Sequence, residues 1–132
     1  MKKINVAAGI LIDKNDRVLI TQRIEGKLLK GFWEFPGGKL NTGENSKIAL
    51  KRELKEELGI SVISYEPFMK LEHCYYNQVV NIDFFLVYKW LGSIVGLDGQ
   101  NLQWVMINRL STKKLLEADI PIIKALQEIY YS

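Results

Sequence analysis

The sequence has almost no cysteine or histidine: Cys74 and His73 are the only ones in 132 residues. One thiol cannot close an internal disulfide, and this pair cannot build a zinc site. Proline is scarce, with three residues. No run approaches the roughly 18 continuous apolar residues of a membrane span, so no membrane partner is expected. Charge of one sign does not dominate either. Lys and Arg number 18 against 15 Asp and Glu, a formal charge of +3, too small to imply a nucleic-acid partner. Lys2-Lys3 precede an apolar stretch, but that stretch alternates and stops at Asp13, as a strand does and a signal peptide does not. The expectation is one domain over 1–132, in a reducing cytoplasm.

The chain is 48% apolar and 25% charged, ordinary for a globular domain and sufficient for a core without metal or disulfide. Disorder, collagen and coiled coil are excluded. Ile4, Val6, Ala8, Ile10 and Ile12 alternate, Lys14-Asn15-Asp16 makes a turn, and Arg17 to Arg23 resumes the β pattern, which together predict a β-hairpin. Glu25 to Gly31 reads as a polar loop. Trp33-Glu34-Phe35 is a short β segment ending at Pro36-Gly37-Gly38. Ser46 to Leu58 predicts a helix, with Leu50, Leu54 and Leu58 at four-residue spacing and Gly59 as its stop. Val62 to Leu71 and Val79 to Trp90 predict strands, with a glycine-rich loop over 92–101 and a short strand over Leu102 to Ile107. Ser111 to Leu116 predicts a short helix and Ile120 to Tyr130 a longer one with Pro121 in its first turn. The expected class is α/β (α+β), a mixed sheet covered by helices.

The acids of the first helix carry the chemistry. At about 100° per residue, Glu56 and Glu57 lie about 60° and 40° either side of Glu53. Three carboxylates crowded on one edge repel, yet a cluster of hard oxygen donors is what Mg²⁺ or Mn²⁺ requires. Arg52 is placed to hold one carboxylate in a bidentate pair. Gly37-Gly38 let backbone pass close to the site. The competing reading is a solvated helix face beside Lys51 and Lys55.

The spacing over Gly38 to Ile60 decides between them. Gly38, Glu44, Arg52, Glu53, Leu54, Glu56, Glu57, Gly59 and Ile60 fill every specified place of G-x5-E-x7-R-E-U-x-E-E-x-G-U, where U is apolar. A chance match is on the order of one in 10⁹ to 10¹⁰ per starting position. This is the Nudix box, and the chain resembles the Nudix hydrolases. The flanks resemble the MutT group: a strand ending at Arg23, then Trp33-Glu34-Phe35-Pro36-Gly37-Gly38-Lys39, and later Phe84-Phe85-Leu86-Val87, Gly99-Gln100, Trp104 and Asp119-Ile120-Pro121.

The resemblance implies a mixed sheet sandwiched between helices (α/β/α) and cleavage of a small nucleoside triphosphate to monophosphate and pyrophosphate. It implies Mg²⁺, with Mn²⁺ as a substitute, bound by Glu53, Glu56 and Glu57 near Gly37 and Gly38. Arg52 would orient Glu53, and Glu44 would support the loop or the metal site. Asp98 has two readings, a catalytic acid or a turn residue beside Gly99. Arg23 and Lys39 are phosphate-binding candidates. Val6, Ala8, Phe35 and Ile82 are candidate walls for the base, and each also reads as core. Asn81 and Asp83, on the opposite strand face, read as solvent-facing.

Asp119 departs from the Asn that MutT proteins preferring 8-oxo-dGTP often place there. Asn both donates and accepts, whereas an ionised Asp only accepts; a buried Asp with a raised pKa could donate as well. Relatives acting on CTP or methylated dCTP carry the same Ala-Asp-Ile-Pro ending. Asp119 also reads as the N-cap of the last helix. Tyr75 and Tyr76 read as strand residues. The expected function is therefore pyrophosphohydrolysis of oxidised guanine nucleotides, with CTP or 5-methyl-dCTP as the alternative, by a monomer or weak homodimer. A non-catalytic nucleotide-sensing module is the alternative from another class; retention of every box glutamate argues against it.

Overall fold

The computed structural model describes residues 2–131. The elements are β1 (Lys2–Leu11), β2 (Arg17–Gln22), β3 (Trp33–Glu34), β4 (Gly37–Lys39), α1 (Ser46–Leu58), β5 (Ser61–Tyr75), β6 (Gln78–Leu91), β7 (Leu102–Met106) and α2 (Ile120–Tyr131). They form a four-stranded sheet in the order β4-β1-β6-β5 and a three-stranded sheet in the order β3-β2-β7.

β1 does not form the expected hairpin with β2. It pairs in parallel with β6, from Lys2 against Gln78 to Leu11 against Val87, and antiparallel with β4. The cause is burial on both faces: every residue from Ala7 to Leu11 is buried, as in a central strand with both edges paired. The chain just past β1 meets β2 at the bridge between Ile12 and Val18, and β2 then runs into the second sheet. The expected single mixed sheet is thus two sheets; among the described residues the parallel pairings are β1–β6 and the bridge between Trp33 and Leu115.

Helices cover both faces of the larger sheet, as expected. On one side Leu50, Leu54 and Leu58 of α1 pack with Ala7, Leu11, Phe85 and Val87. Gly9 permits this close approach, because a Cβ there would lie 3.0 Å from Leu54 Cδ1. On the other side Ile122, Ile123 and Leu126 of α2 join Ala8, Ile10, Ile82 and Phe84. Burial of each large aliphatic side chain contributes about 1.5–3 kcal/mol.

Local signals set the helix ends. The Asn45 side chain accepts from the Ile48 N–H at 2.9 Å, and Gly59 closes α1 at φ 74° with its N–H on Lys55 O. β5 runs through Pro67 because it is an edge strand and carries a register shift between Pro67 and Met69. The predicted helix over Ser111 to Leu116 is absent. A 3-10 turn occupies Ile107–Thr112, and the following chain is drawn out along Trp33. Trp33 N–H donates to Lys114 O at 2.8 Å, and Leu116 N–H donates to Trp33 O at 3.1 Å.

Candidate active site

β4 lays two glycines against α1. A Cβ at Gly38 would sit 2.4 Å from Glu53 Cδ, and one at Gly37 would sit 2.1 Å from Ala7 O. Only glycine lets the backbone reach the acids this closely. The Gly37 N–H donates to Glu57 Oε2 at 2.9 Å.

Arg52 is the hub of the helix acids, but its bidentate partner is not Glu53. Its Nε and Nη2 grip Glu44 at 2.8 and 2.9 Å. Its Nη1 gives single bonds to Glu53 at 2.8 Å and Glu56 at 3.1 Å, and Nη2 also donates to Lys39 O at 2.9 Å. The eight-residue separation of Glu44 from Arg52 hid this pair from helical spacing. Glu44 also accepts from the Asn41 N–H, so it closes the loop before α1. These bonds to Arg52 and Asn41 pull its carboxyl down to about 2.

Glu57 behaves oppositely. Burial first, then the charges of Glu53 and Glu34, push its carboxyl up to about 8, against the opposing pull of the Gly37 N–H and Lys27. Negative charge is in excess here. The donor set is all hard oxygen, and the Gly38 cradle leaves no space for a side chain; both features fit a divalent cation. Among the described residues no three acids converge as a ready-made ligand set, because Arg52 takes up Glu53 and Glu56 while Gly37 holds Glu57. A cation binding to all three would displace part of the Arg52 web.

A cavity of about 490 Å³ joins these acids to an apolar chamber. Glu53, Glu56, Glu57, Gly37 and Gly38 line it, with Arg23, Lys39 and Asp98. Val6, Ala8, Phe35, Ile82 and Asp119 line the same cavity. Of the residues singled out as catalytic, metal-binding or substrate-binding, only Arg52 and Glu44 stand behind the lining. The core and wall readings of Phe35 both hold: it is buried, edge-on to Phe84 at 6.1 Å, and faces the cavity.

Arg23 is held by Glu34 at 2.9 Å and by Leu28 O at 2.6 Å. Asp98 is exposed, with its N–H on Gln100 Oε1 at 2.9 Å, and its loop is tied to α1 by Leu97 N–H on Glu57 O at 3.0 Å. Asp83 departs from the solvent-facing expectation: half-buried, it accepts from the Ser46 hydroxyl and lies away from this cavity.

Sequence reasoning missed several lining residues. Lys27, Leu28 and Leu29, read as polar loop, reach the cavity, and so do Tyr75 and Tyr76. His73 meets Glu117 Oε2 at 3.2 Å and lies against the Tyr75 ring. Nothing in strand periodicity marks these contacts, since they join residues far apart in the chain.

Asp119 is buried, and its Oδ2 has no hydrogen-bond partner among the described residues. Burial, and secondarily the charge of Glu34, raise its carboxyl well above the ordinary value, while the Phe35 N–H and Arg23 act the other way. The N-cap reading is not met. Glu117–Asp119 is a 3-10 turn leading straight into α2, so Asp119 lacks the extended backbone of a cap.

The native state therefore favours protonated Asp119. Its contribution to stability is complete below the ordinary value of 3.8 and is lost as pH rises through the raised folded value. Asp119→Asn cannot ionise. It is expected to melt higher than the parent protein at pH 8, with the difference shrinking towards pH 4. Thermal melts across that range check this, and a pH-independent difference would refute it.

Comparison with known proteins agrees with this architecture. Residues 7–125 match the family model described as NUDIX domain. The chain is 37% identical to an 8-oxo-dGTP diphosphatase of Haemophilus influenzae, over 95% of this chain and 92% of that one. It is 32% identical to a CTP pyrophosphohydrolase of Escherichia coli, again over 95% and 92%. A solved MutT structure, from work on Aliivibrio salmonicida and Vibrio cholerae, superposes with a TM-score of 0.85 at 35% identity, covering 98% of this chain and 100% of that one. With the box glutamates set on α1 against the two glycines of β4, the chain belongs to the Nudix hydrolase family.

Proposed function

We propose that the protein is a Mg²⁺-dependent nucleoside triphosphate pyrophosphohydrolase directed at oxidised guanine nucleotides such as 8-oxo-dGTP. One observation carries this reading: a single cavity is lined by the α1 carboxylates, by apolar side chains and by Asp119. Its mixed polar and apolar lining suits a triphosphate and a base. Relatives named 8-oxo-dGTP diphosphatase support the choice of substrate.

Nudix hydrolases use a divalent metal. Glu53, Glu56 and Glu57 would hold it, with Mn²⁺ as a substitute, and when bound it supplies charge neutralisation and a more acidic water. Arg23 and Lys39 bind phosphate oxygens. Arg52 and Glu44 position the acids. Asp98 accepts a proton at its carboxylate if its loop closes on the site, its other reading being the turn residue beside Gly99. Val6, Ala8 and Phe35 pack on the base, and Asp119 meets its edge. The 132 residues act as one Nudix domain, in the cytoplasm, as a monomer or weak homodimer with no nucleic-acid partner. CTP or 5-methyl-dCTP hydrolysis is the second reading, favoured by the CTP-named relative and by the acid at position 119.

Pyrophosphate release with Mg²⁺ from 8-oxo-dGTP, dGTP, CTP, 5-methyl-dCTP and dATP tests this. Preference for 8-oxo-dGTP is expected. Preference for a cytosine nucleotide would select the second reading. Saturable binding without turnover would make the chain a nucleotide sensor.

A further inference from the structure

Asp119, the buried acid of this cavity, offers only lone pairs once ionised; protonated, the form its burial favours, it both donates and accepts. Its Oδ2 is buried without a partner among the described residues. The hydrogen-bonding edge of a keto purine presents a carbonyl oxygen next to a ring N–H. Such an edge is matched by one donor and one acceptor side by side.

Tyr75 brings a hydroxyl donor into the same cavity. It ends β5, and its hydroxyl oxygen accepts from the Ala118 N–H at 2.7 Å, one residue before Asp119. Tyr75, Ala118 and Asp119 line the same cavity. The hydroxyl proton has no acceptor among the described residues. The ring is braced by His73, 4.5 Å away between centroids, which meets Glu117 Oε2 at 3.2 Å. Burial, aided by the charges of Asp119, Glu117 and Glu34, pushes the phenol up to about 12, so the proton stays in place at neutral pH.

We propose that Tyr75 is a specificity-determining residue: its O–H donates to the carbonyl oxygen of a keto purine while Asp119 accepts from the adjoining ring N–H. This rests on the nucleotide reading above. It explains how a chain with Asp at position 119 reads an edge that demands both a donor and an acceptor. The Ala118 N–H fixes the hydroxyl's direction by occupying one lone pair, and the Tyr75 proton is left for the ligand.

The test is calorimetric binding of two monophosphates, deoxyguanosine monophosphate and its 6-thio analogue, which keeps the ring N–H but replaces the carbonyl oxygen with sulfur, a weak hydrogen-bond acceptor. The wild-type protein is expected to favour the guanine ligand at least tenfold; parity would overturn the proposal. Tyr75→Phe keeps the ring and removes the donor. It is expected to weaken the guanine ligand about tenfold and the analogue less than twofold. Equal weakening of both, as a purely structural brace would give, or no weakening of either, would overturn it. In an Asp119→Asn background the new amide supplies a donor, so Tyr75→Phe is expected to cost less than threefold; a persistent tenfold loss would count against the donor role. Turnover of triphosphates by the wild-type protein, measured separately, decides the hydrolase reading, and the binding ratios decide Tyr75 whichever way that falls.

Discussion

Glu53→Gln is expected to lower kcat at least a hundredfold, about 2.7 kcal/mol of transition-state stabilisation. The substitution preserves size, which matters because the Glu53 carboxyl carbon lies where a Cβ on Gly38 would come within 2.4 Å. A Gln oxygen can still accept from Arg52 Nη1, now 2.8 Å from Glu53 Oε1. What disappears is one negative charge at the site where charge has to hold a divalent cation. The same charge helps to raise Glu57, so removing it relieves repulsion in the metal-free protein. The signature is therefore collapsed turnover with an unchanged or higher melting temperature. Steady-state kinetics over a Mg²⁺ titration and a thermal melt check both halves. Near-normal kcat would sink the assignment of Glu53 to the metal site.

Gly37→Ala is expected to destabilise the fold by about 3 kcal/mol or more, since overpacking against rigid neighbours is costly. The added Cβ would lie 2.1 Å from Ala7 O and 2.7 Å from Ala8 Cα. Both are backbone atoms of a strand buried on both faces, and β4 pairs with β1 at this point, Ala8 against Gly37. Neither side can yield without breaking the ladder. At Gly38 the obstacle would be a side chain, so position 37 is the stricter of the two. A fall in melting temperature of roughly 10 °C or more is expected, together with loss of the Gly37 N–H geometry that holds Glu57. A melting temperature within 2–3 °C of the parent, about 1 kcal/mol or less, would refute the steric argument.

Much of α1 is legible from neighbouring residues alone. Asn45, the Leu50-Leu54-Leu58 stripe and Gly59 act within one or two helical turns, so start, buried face and end all follow from spacing. The structure keeps the same bounds, Ser46–Leu58. The β1–β2 hairpin fails on the same logic. Alternation marks a strand but not its partner, and β1 is claimed by β6, more than seventy residues away in register. The missing helix over Ser111 to Leu116 has a comparable cause: Trp33 takes the backbone groups of Lys114 and Leu116.

The site divides along the same line. The sequence by itself determined the spacing of the box, the identity of the acids, their common helix edge and the family they belong to, because these depend on residues within a few turns of one another. Tertiary structure alone decided that Arg52 grips Glu44, that Gly37 donates to Glu57, that Asp119 is buried with one oxygen unpartnered among the described residues, and that the Tyr75 hydroxyl accepts from Ala118. Each of these joins segments brought together only when two sheets and two helices close around one cavity. The physical reason is range: helical periodicity and turn chemistry are written in adjacent residues, whereas strand pairing, desolvation and a hydrogen bond from Ala118 to Tyr75 exist only once the chain has folded.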